Sequence, residues 1–507
     1  MAYEYLHVAT ARDLSGKDRR LYRFLEILPG VLSWGTIFGA FVASYFVPVW
    51  AAIGIIIFDI YWLVKTAYLS AHLRTSWRKL RHNMTTDWRA KSAHLKSEHI
   101  WQMVLLPMYK EGREVVNETL EKILASDWPK ERMIVVLGIE ARAGEYAQSL
   151  ADTMRAQYGE KFKHFLITTH PADVSGELAG KGSNIAYAAQ ETKRLIIDPQ
   201  SIPYENIIVS AFDIDTQVYP QYFLCLTYYF LTADDPHRAS FQPIPVYNNN
   251  IWEAPALARV VATSGTFWQM MQQERPERLS TFSSHALSFK ALAEVGYWQK
   301  NMVSEDSRIF WNAFLHYDGN YEVVPIFYPV SMDANFGANL WQTMKNVYKQ
   351  QRRWTWGVEN LPYFIFGSIK NPRIPLGKRL RFIFVQLEGF WSLPTNPLLI
   401  FLLGWLPLML GGDAFNETLL SYNLPRVTRT LMMIAMSGLF MSAAISWSLL
   451  PPRPAGVRGH KYAFMILQWL LIPISIIFFG AIPGLDAQTR LMLGKYMGFW
   501  VTPKERR

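Results

Sequence analysis

Ile207-Ile208-Val209-Ser210-Ala211-Phe212-Asp213-Ile214-Asp215 is an apolar, β-prone run that stops in two carboxylates one residue apart. β-branched and aromatic side chains suit a buried, pleated strand, whereas paired acids do not. Asp213 and Asp215 therefore stand just past the carboxyl end of a strand. Working outward, 103–109, 133–139 and 165–168 are further short apolar runs, and 111–125 and 184–195 carry helical periodicity. Strand and helix signals alternating at this spacing predict βαβ units, hence an α/β domain on a mostly parallel sheet. Such sheets bind ligands beyond the carboxyl ends of their strands. Glu140, ending the second strand, falls there together with Asp213 and Asp215.

Carboxylates at i and i+2 offer hard oxygen ligands to Mg²⁺ or Mn²⁺, which would bridge to a diphosphate. Asp213 and Asp215 are thus candidate metal ligands; an acidic turn after a strand is the structural alternative. Ser304-Glu305-Asp306 precedes a helical stretch at 308–314. Adjacent half-buried carboxylates resist ionising together, so one has a raised pKa and the other is free to act as a general base. A helix start capped by Ser304, with acids in its first turn, explains the same residues.

Gln350-Gln351-Arg352-Arg353-Trp354 lies in a basic, aromatic stretch from Trp341 to Trp356. On a helix, Gln350, Arg353 and Trp354 share one face. Arginine grips a diphosphate bidentately, and tryptophan stacks on a sugar ring or base. An amphipathic helix anchored among lipid headgroups would use the same side chains. Gly176-Glu177-Leu178-Ala179-Gly180-Lys181 imitates a phosphate-binding P-loop, but it is one residue short and Gly182 stands where Ser or Thr is required. A P-loop ATPase is excluded. No His/Cys spacing suggests zinc, and no G-x-S-x-G elbow is present.

Half of the 507 residues are hydrophobic and 15% are aromatic, a content concentrated in two blocks that flank an ordinary globular middle. A span needs about 20 apolar residues. Segments 28–47 and 50–69 each suffice, with Pro48 in a tight turn between them; 382–410, kinked by Pro394 and Pro397, then 431–450 and 462–485 follow. The net charge of +10 gathers beside these blocks: Arg12, Lys17, Arg19, Arg20 and Arg23; Arg74, Arg78, Lys79 and Arg81; Lys370, Arg373, Lys378, Arg379 and Arg381. Lys and Arg beside spans mark the cytoplasmic side. Nucleic acid is therefore not an expected partner. The single cysteine, Cys225, allows no internal disulfide and suits a reducing compartment. The polar start of the chain does not read as a cleaved signal peptide.

The resulting division is a cytosolic segment 1–27, a transmembrane hairpin 28–69 and a basic juxtamembrane linker 70–100. A cytosolic catalytic domain 101–363, a basic interfacial linker 364–381, spans within 382–485 and an interfacial tail 486–507 complete it. The loop 451–461, with Arg453, Arg458 and Lys461, reads as cytoplasmic. Five spans would put the C-terminus outside, while the basic tail 504–507 favours the inside. An integral protein of the plasma (inner) membrane is expected.

In this order the D-x-D, E-D and Q-x-x-R-W motifs resemble membrane-integrated family 2 glycosyltransferases, such as cellulose and hyaluronan synthases, which share a D, D-x-D, E-D, Q-x-x-R-W series. The resemblance covers about 101–357 and the flanking spans. Leu106-Pro107-Met108-Tyr109-Lys110-Glu111 resembles the family's first strand and P-x-Y-N-E turn; Gly180-Lys181-Gly182-Ser183-Asn184 resembles its lysine–asparagine segment near the nucleotide. Ser283-Ser284-His285 falls where the family has a small-residue motif near the acceptor.

The resemblance implies a GT-A-like cytosolic domain flanked by two N-terminal and about three C-terminal transmembrane helices. It implies that Asp213 and Asp215 hold Mg²⁺ or Mn²⁺ and the diphosphate, that Asp306 is the general base, and that Glu305 is its substrate-side neighbour. Lys181 would lie near the nucleotide, Ser284 and His285 near the acceptor, and Gln350, Arg353 and Trp354 on the acceptor and leaving-group side. Glu140 replaces the family's first Asp, the contact to the nucleotide base, and no D-D-G-S sequence accompanies it. The implied activity is inverting hexosyl transfer from a nucleotide sugar, a UDP-sugar before a GDP-sugar, to a glycan or lipid acceptor at the membrane. Processive polysaccharide synthesis and single transfer to a lipid-linked acceptor both fit. A transporter or a scaffold with an inactive domain is the competing class; few ionisable residues in the spans, Glu388 chief among them, speak against transport.

Overall fold

The computed structural model describes residues 4–503 except 402, 455 and 458. Arg458 and the tail 504–507 lie outside the described residues. Eight strands form one sheet: β1 (Trp101–Met108), β2 (Met133–Glu140), β3 (His164–His170), β4 (Ile207–Ala211), β5 (Gln217–Val218), β6 (Ala239–Tyr247), β7 (Ala286–Ser288) and β8 (Glu322–Met332). Their order is β3-β2-β1-β4-β7-β6-β8-β5.

Residue alternation explains why both faces are covered. Along β1, Met103 and Leu105 enter one core with Ile185, Phe310 and Trp311. Val104 and Leu106 enter the opposite core with Val116, Leu120 and Met154. A strand buried on both faces is a continuous apolar run, the feature visible in the sequence.

From β3 to β4 every pairing is parallel. Beyond β4 the sheet is mixed: β7 runs antiparallel to β4 and β6, and β5 antiparallel to β8, while β6 and β8 are parallel. The mostly parallel expectation therefore holds for the half that ends at Asp215 and is corrected for the other half. There the strand signal is weak, because β7 has three residues and β6 and β8 carry Pro243, Pro245, Pro325 and Pro329.

The helices Gly16–Phe46, Pro48–Thr85, Leu419–Ser448 and Lys461–Met492 are long and apolar enough to cross a membrane, and Leu376–Phe401 with Leu403–Leu410 forms a further pair bent by 49°. Only Val47 separates the first two, with Pro48 at the first helical position of the second, which is the tight turn expected. At 38 residues the second helix runs about 57 Å, about twice a bilayer's hydrocarbon thickness. Arg74, Arg78, Lys79 and Arg81 thus ride on a continuous helix where a linker was expected.

The ends of these helices sort to two levels. Gly411 abuts Pro48, and Phe415 and Leu424 cluster with Ala52 far from the sheet. At the opposite level Leu449 O accepts from Asn248 of the α/β domain at 3.1 Å. The apolar stretch 461–492 has both ends at this level: Lys461 donates to Trp252 O, and Leu491 O accepts from Arg23 at 2.8 Å. The segment after it also lies against the α/β domain, with Phe499 packed on Gly180.

Candidate active site

The acids gather where the parallel strands end. Asp213, two residues past β4, and Asp306, in the first turn of helix Glu305–His316, face each other across the Lys181 ammonium. Lys181 Nζ donates to Asp213 Oδ1 at 2.6 Å and to Asp306 Oδ2 at 2.9 Å. Lys181 begins helix Lys181–Thr192, where Gly182 permits the approach: a Cβ there would lie 3.0 Å from Glu305 Cβ. Burial works against the charge on Lys181, but the Asp213 and Asp306 carboxylates outweigh it and hold the amine protonated.

Asp215 is turned away from this cluster. It is fully buried; its Oδ2 accepts from Asp333 N at 2.9 Å and its carbonyl from Asn249 Nδ2 at 3.0 Å. Asp213 and Asp306 therefore meet, while Asp215 lies one layer deeper, at the end of β8. Asp306 Oδ1 is buried and, among the described residues, has no hydrogen-bond partner. Among the described residues no group of three or more His, Cys, Asp or Glu side chains forms a metal centre.

Glu305 and Asp306 sit in different surroundings. Glu305 is buried, and desolvation, reinforced by the Asp306 charge, pushes its carboxyl up to about 8. Asp306 keeps side-chain exposure of 22%. Ser304 does not cap the helix: its Oγ donates to Glu359 Oε1 at 2.6 Å. His285 Nδ1 lies 3.8 Å from Asp306 Oδ1 and 2.9 Å from Phe282 O, and His285 Nε2 accepts from Trp298 Nε1 at 3.2 Å. These contacts set the neutral Nδ1–H tautomer, and burial pulls the imidazole's pKa down. Ser284 Oγ lies 3.2 Å from Thr216 Oγ1, behind the D-x-D turn.

A cleft opens between the strand ends and is lined by Tyr109, Glu140, Lys181, Asp213 and Arg353, among others. Glu140 Oε2 accepts from Arg142 Nε at 2.5 Å, and Arg142 lies 4.5 Å above the Tyr109 ring. The Q-x-x-R-W residues occupy helix Leu340–Thr355, whose N-cap Asn339 accepts from Gln342 N. Arg353 faces the cleft; Gln350 is buried; Trp354 packs against Tyr247 and Phe282, with ring centroids 5.7 and 5.8 Å apart.

Sequence reasoning passed over several contributors. Ser283 Oγ donates to Asp213 Oδ2 at 2.9 Å, and Arg142 pairs with Glu140. Phe499, Val501 and Thr502 line the cleft from the C-terminal segment; Arg353 lies 5.0 Å over Phe499, and Lys349 5.3 Å over Trp500. The available signal was Phe499-Trp500 among basic and polar residues just past an apolar helix.

A mixed α/β sheet with acids and a buried lysine gathered past its strand ends is the architecture of a GT-A-like glycosyltransferase. The chain belongs to Glycosyl transferase family group 2, which it matches over residues 208–479, more than half of its length. No curated protein matches the sequence. Among solved structures, the mannosyltransferase PcManGT from Pyrobaculum calidifontis, in complex with GDP-Man and Mn²⁺, is similar at 12% identity and a TM-score of 0.43, covering 87% of this chain and 99% of that one. S. aureus TarS 1-349 in complex with UDP-GlcNAc is similar at 13% identity and a TM-score of 0.32, covering 71% of this chain and 95% of that one.

Proposed function

We propose that the chain is an inverting, membrane-integrated glycosyltransferase that moves a sugar from a nucleotide-sugar donor to a hydroxyl of a glycan or lipid, with Asp306 as the base. The observation that carries this reading is the single ammonium, Lys181, which draws Asp213 and Asp306 to within 3 Å of one cation. The donor diphosphate belongs in the cleft, beside Lys181 and Arg353, and the nucleotide base beside Tyr109, Glu140 and Arg142. Cationic groups there stabilise the charge that grows on the leaving diphosphate.

Lys181 occupies Asp306 Oδ2 and leaves Oδ1 to take the proton of the acceptor hydroxyl as its oxygen attacks C1. Glu305, pushed up by burial, stays protonated at neutral pH and leaves the base role to its neighbour. His285 is held as a neutral wall that fixes the Asp306 side of the pocket. Trp354, braced by Tyr247 and Phe282, offers an aromatic face for the acceptor sugar, and Gln350 and Ser284 shape the same side.

Asp213, which lines the cleft, and Asp215, in the layer behind it, supply the hard carboxylate oxygens that a divalent cation takes. Mg²⁺ or Mn²⁺ held by Asp213 and Asp215 would supply charge neutralisation for the departing diphosphate.

The domain division extends this reading. Residues 101–363 form the catalytic unit on the cytoplasmic face, and four helical elements cross the plasma (inner) membrane: Gly16–Phe46, Pro48–Thr85, the bent pair Leu376–Leu410 and Leu419–Ser448. Stretch 461–492, with both ends at the catalytic level, lies along that face instead of crossing. The C-terminal segment then belongs to the cytoplasmic side.

The test is purified protein with a panel of UDP- and GDP-sugars plus Mg²⁺ or Mn²⁺. Nucleotide release and product size are read for wild type and Asp306→Asn. A loss of about 10²–10⁴-fold in transfer, with donor binding retained, is the expected result. Transfer at the wild-type rate by Asp306→Asn would remove Asp306 from the mechanism.

A further inference from the structure

Arg259, on helix Ala256–Gln273, is only 6% exposed and stands apart from the catalytic carboxylates. Its hydrogen bonds go to neutral acceptors alone: Nε to Gln468 Oε1 at 2.7 Å and Nη1 to Ala254 O at 2.5 Å. Among the described residues no carboxylate forms an ion pair with it. Burial lowers the guanidinium's pKa, and no acid raises it. Guanidinium nonetheless stays charged in proteins, so a buried cation is left without a counter-ion, an arrangement that costs several kcal/mol.

A second cation is held on the same turn. Lys461 donates to Trp252 O, two residues before the carbonyl that Arg259 binds. Glu253, on that turn, is exposed and acts electrostatically on Lys461, not on Arg259.

Arg259 also lines a narrow crevice between the α/β domain and the apolar helices. Asn248, Thr266, Ser446 and Gln468 give it polar walls, and the ends of helices Leu419–Ser448 and Lys461–Met492 close it with aliphatic side chains. Trp252, Tyr462 and Trp447 cluster beside it, with centroids 5.3 and 5.1 Å apart. Tryptophan and tyrosine collect at headgroup depth. On the membrane reading given above, Arg259 therefore sits at the depth of lipid phosphates.

We propose that this crevice is a binding site for the phosphate of an anionic membrane lipid, with Arg259 as its anchor. The guanidinium fork matches the non-bridging phosphate oxygens, and the aliphatic walls lead toward the acyl chains. Tyr247 lines the crevice on one side and packs on Trp354 at the catalytic centre on the other, so an occupied crevice adjoins the acceptor pocket.

The experiment uses the full chain. Wild type, Arg259→Gln and the exposed surface control Lys122→Gln are purified in mild detergent and weighed by native mass spectrometry. Thermal stability is then titrated with short-chain phosphatidylglycerol, short-chain phosphatidylcholine and inorganic phosphate. Wild type and control should retain one anionic phospholipid, and Arg259→Gln should bind phosphatidylglycerol at least about tenfold more weakly. If Arg259→Gln fails to fold, Arg259→Lys replaces it, with the same order of weakening expected from loss of the fork. Stabilisation by phosphatidylglycerol but not by inorganic phosphate assigns the site to lipid; stabilisation by both assigns it to the phosphate group itself. Equal lipid retention in wild type and the Arg259 variant, or equal response to phosphatidylcholine and phosphatidylglycerol, overturns the proposal. Sugar transfer is assayed on the same samples, so failure of the enzyme reading with lipid binding intact, or the reverse, is told apart.

Discussion

Lys181 is the residue on which the acidic cluster depends. It is 7% exposed and its ammonium bonds both Asp213 and Asp306. Removing one member of a buried charge group leaves the others uncompensated, at a cost of about 3–5 kcal/mol. Lys181→Met should therefore lower thermal stability and abolish transfer, whereas Asp306→Asn, which keeps the ammonium paired with Asp213, should unfold close to wild type. Melting curves for both variants check this; equal stability of Lys181→Met and wild type would count against the cluster. Glu305 sets a pH dependence of defined sign. In the unfolded chain it titrates near the ordinary glutamate value, and in the fold burial pushes it up to about 8. Between those values the folded state retains a proton that the unfolded chain has released, so this contribution to stability falls as pH rises. Wild type should lose melting temperature from about pH 5 to pH 8, and Glu305→Gln should flatten the loss. Asp213 and Asp306 were legible because carboxylates beside an apolar strand or at a helix start break a pattern. Ser283 and Arg142 were not, because a serine or arginine in a loop breaks none, and their partners are set by tertiary approach.

Helix Glu305–His316 carries Asp306, the proposed base, and a single acid from another element seats it. Glu359 is buried in the turn after the Q-x-x-R-W helix; its Oε1 accepts from Val303 N at 3.2 Å and Ser304 N at 2.9 Å, and its Oε2 from Trp356 Nε1 at 2.9 Å. Arg308, on the base helix, answers with bonds to Asn360 Oδ1 at 2.6 Å and Glu359 O at 3.4 Å. Glu359 thus links the helix of the proposed base to the helix bearing Arg353, a positioning role on that reading. Glu359→Ala would orphan buried donors, each worth about 1–3 kcal/mol. It should lower kcat with little change in donor KM, and Glu359→Gln, which keeps an acceptor, should restore most of the rate; no difference between the two would reduce Glu359 to packing. None of this coupling was readable from sequence, since Glu359 lies 55 residues from Ser304 and follows no spacing rule. The parallel half of the sheet was readable because each strand is uniformly apolar, whereas β6 and β8 hide behind their prolines.

Molecular topology follows from where the chain ends meet. Near its start, Ala11 N and Arg23 donate to the buried Glu26 carboxylate; near its end, Tyr496 donates to the same carboxylate at 2.8 Å. Lys370, ahead of the bent pair, joins Asp18 at 2.7 Å. Chain segments tied to one carboxylate cannot lie on opposite sides of a bilayer, so the crossings between them are even in number. Hydropathy alone yields five, because stretch 461–492 satisfies length and composition as well as a true span does. What hydropathy cannot register is that Asp486, within that stretch, bonds Arg352 of the Q-x-x-R-W helix at 2.9 Å and holds it to the catalytic face. Cys225 is buried, so introduced cysteines can be read against a low background. In intact cells a membrane-impermeant maleimide should label Asp413→Cys, in the turn beside Pro48, and should label Lys495→Cys only after the membrane is opened. Labelling of Lys495→Cys in sealed cells would require 461–492 to cross, and would detach Phe499 from the cleft it now lines.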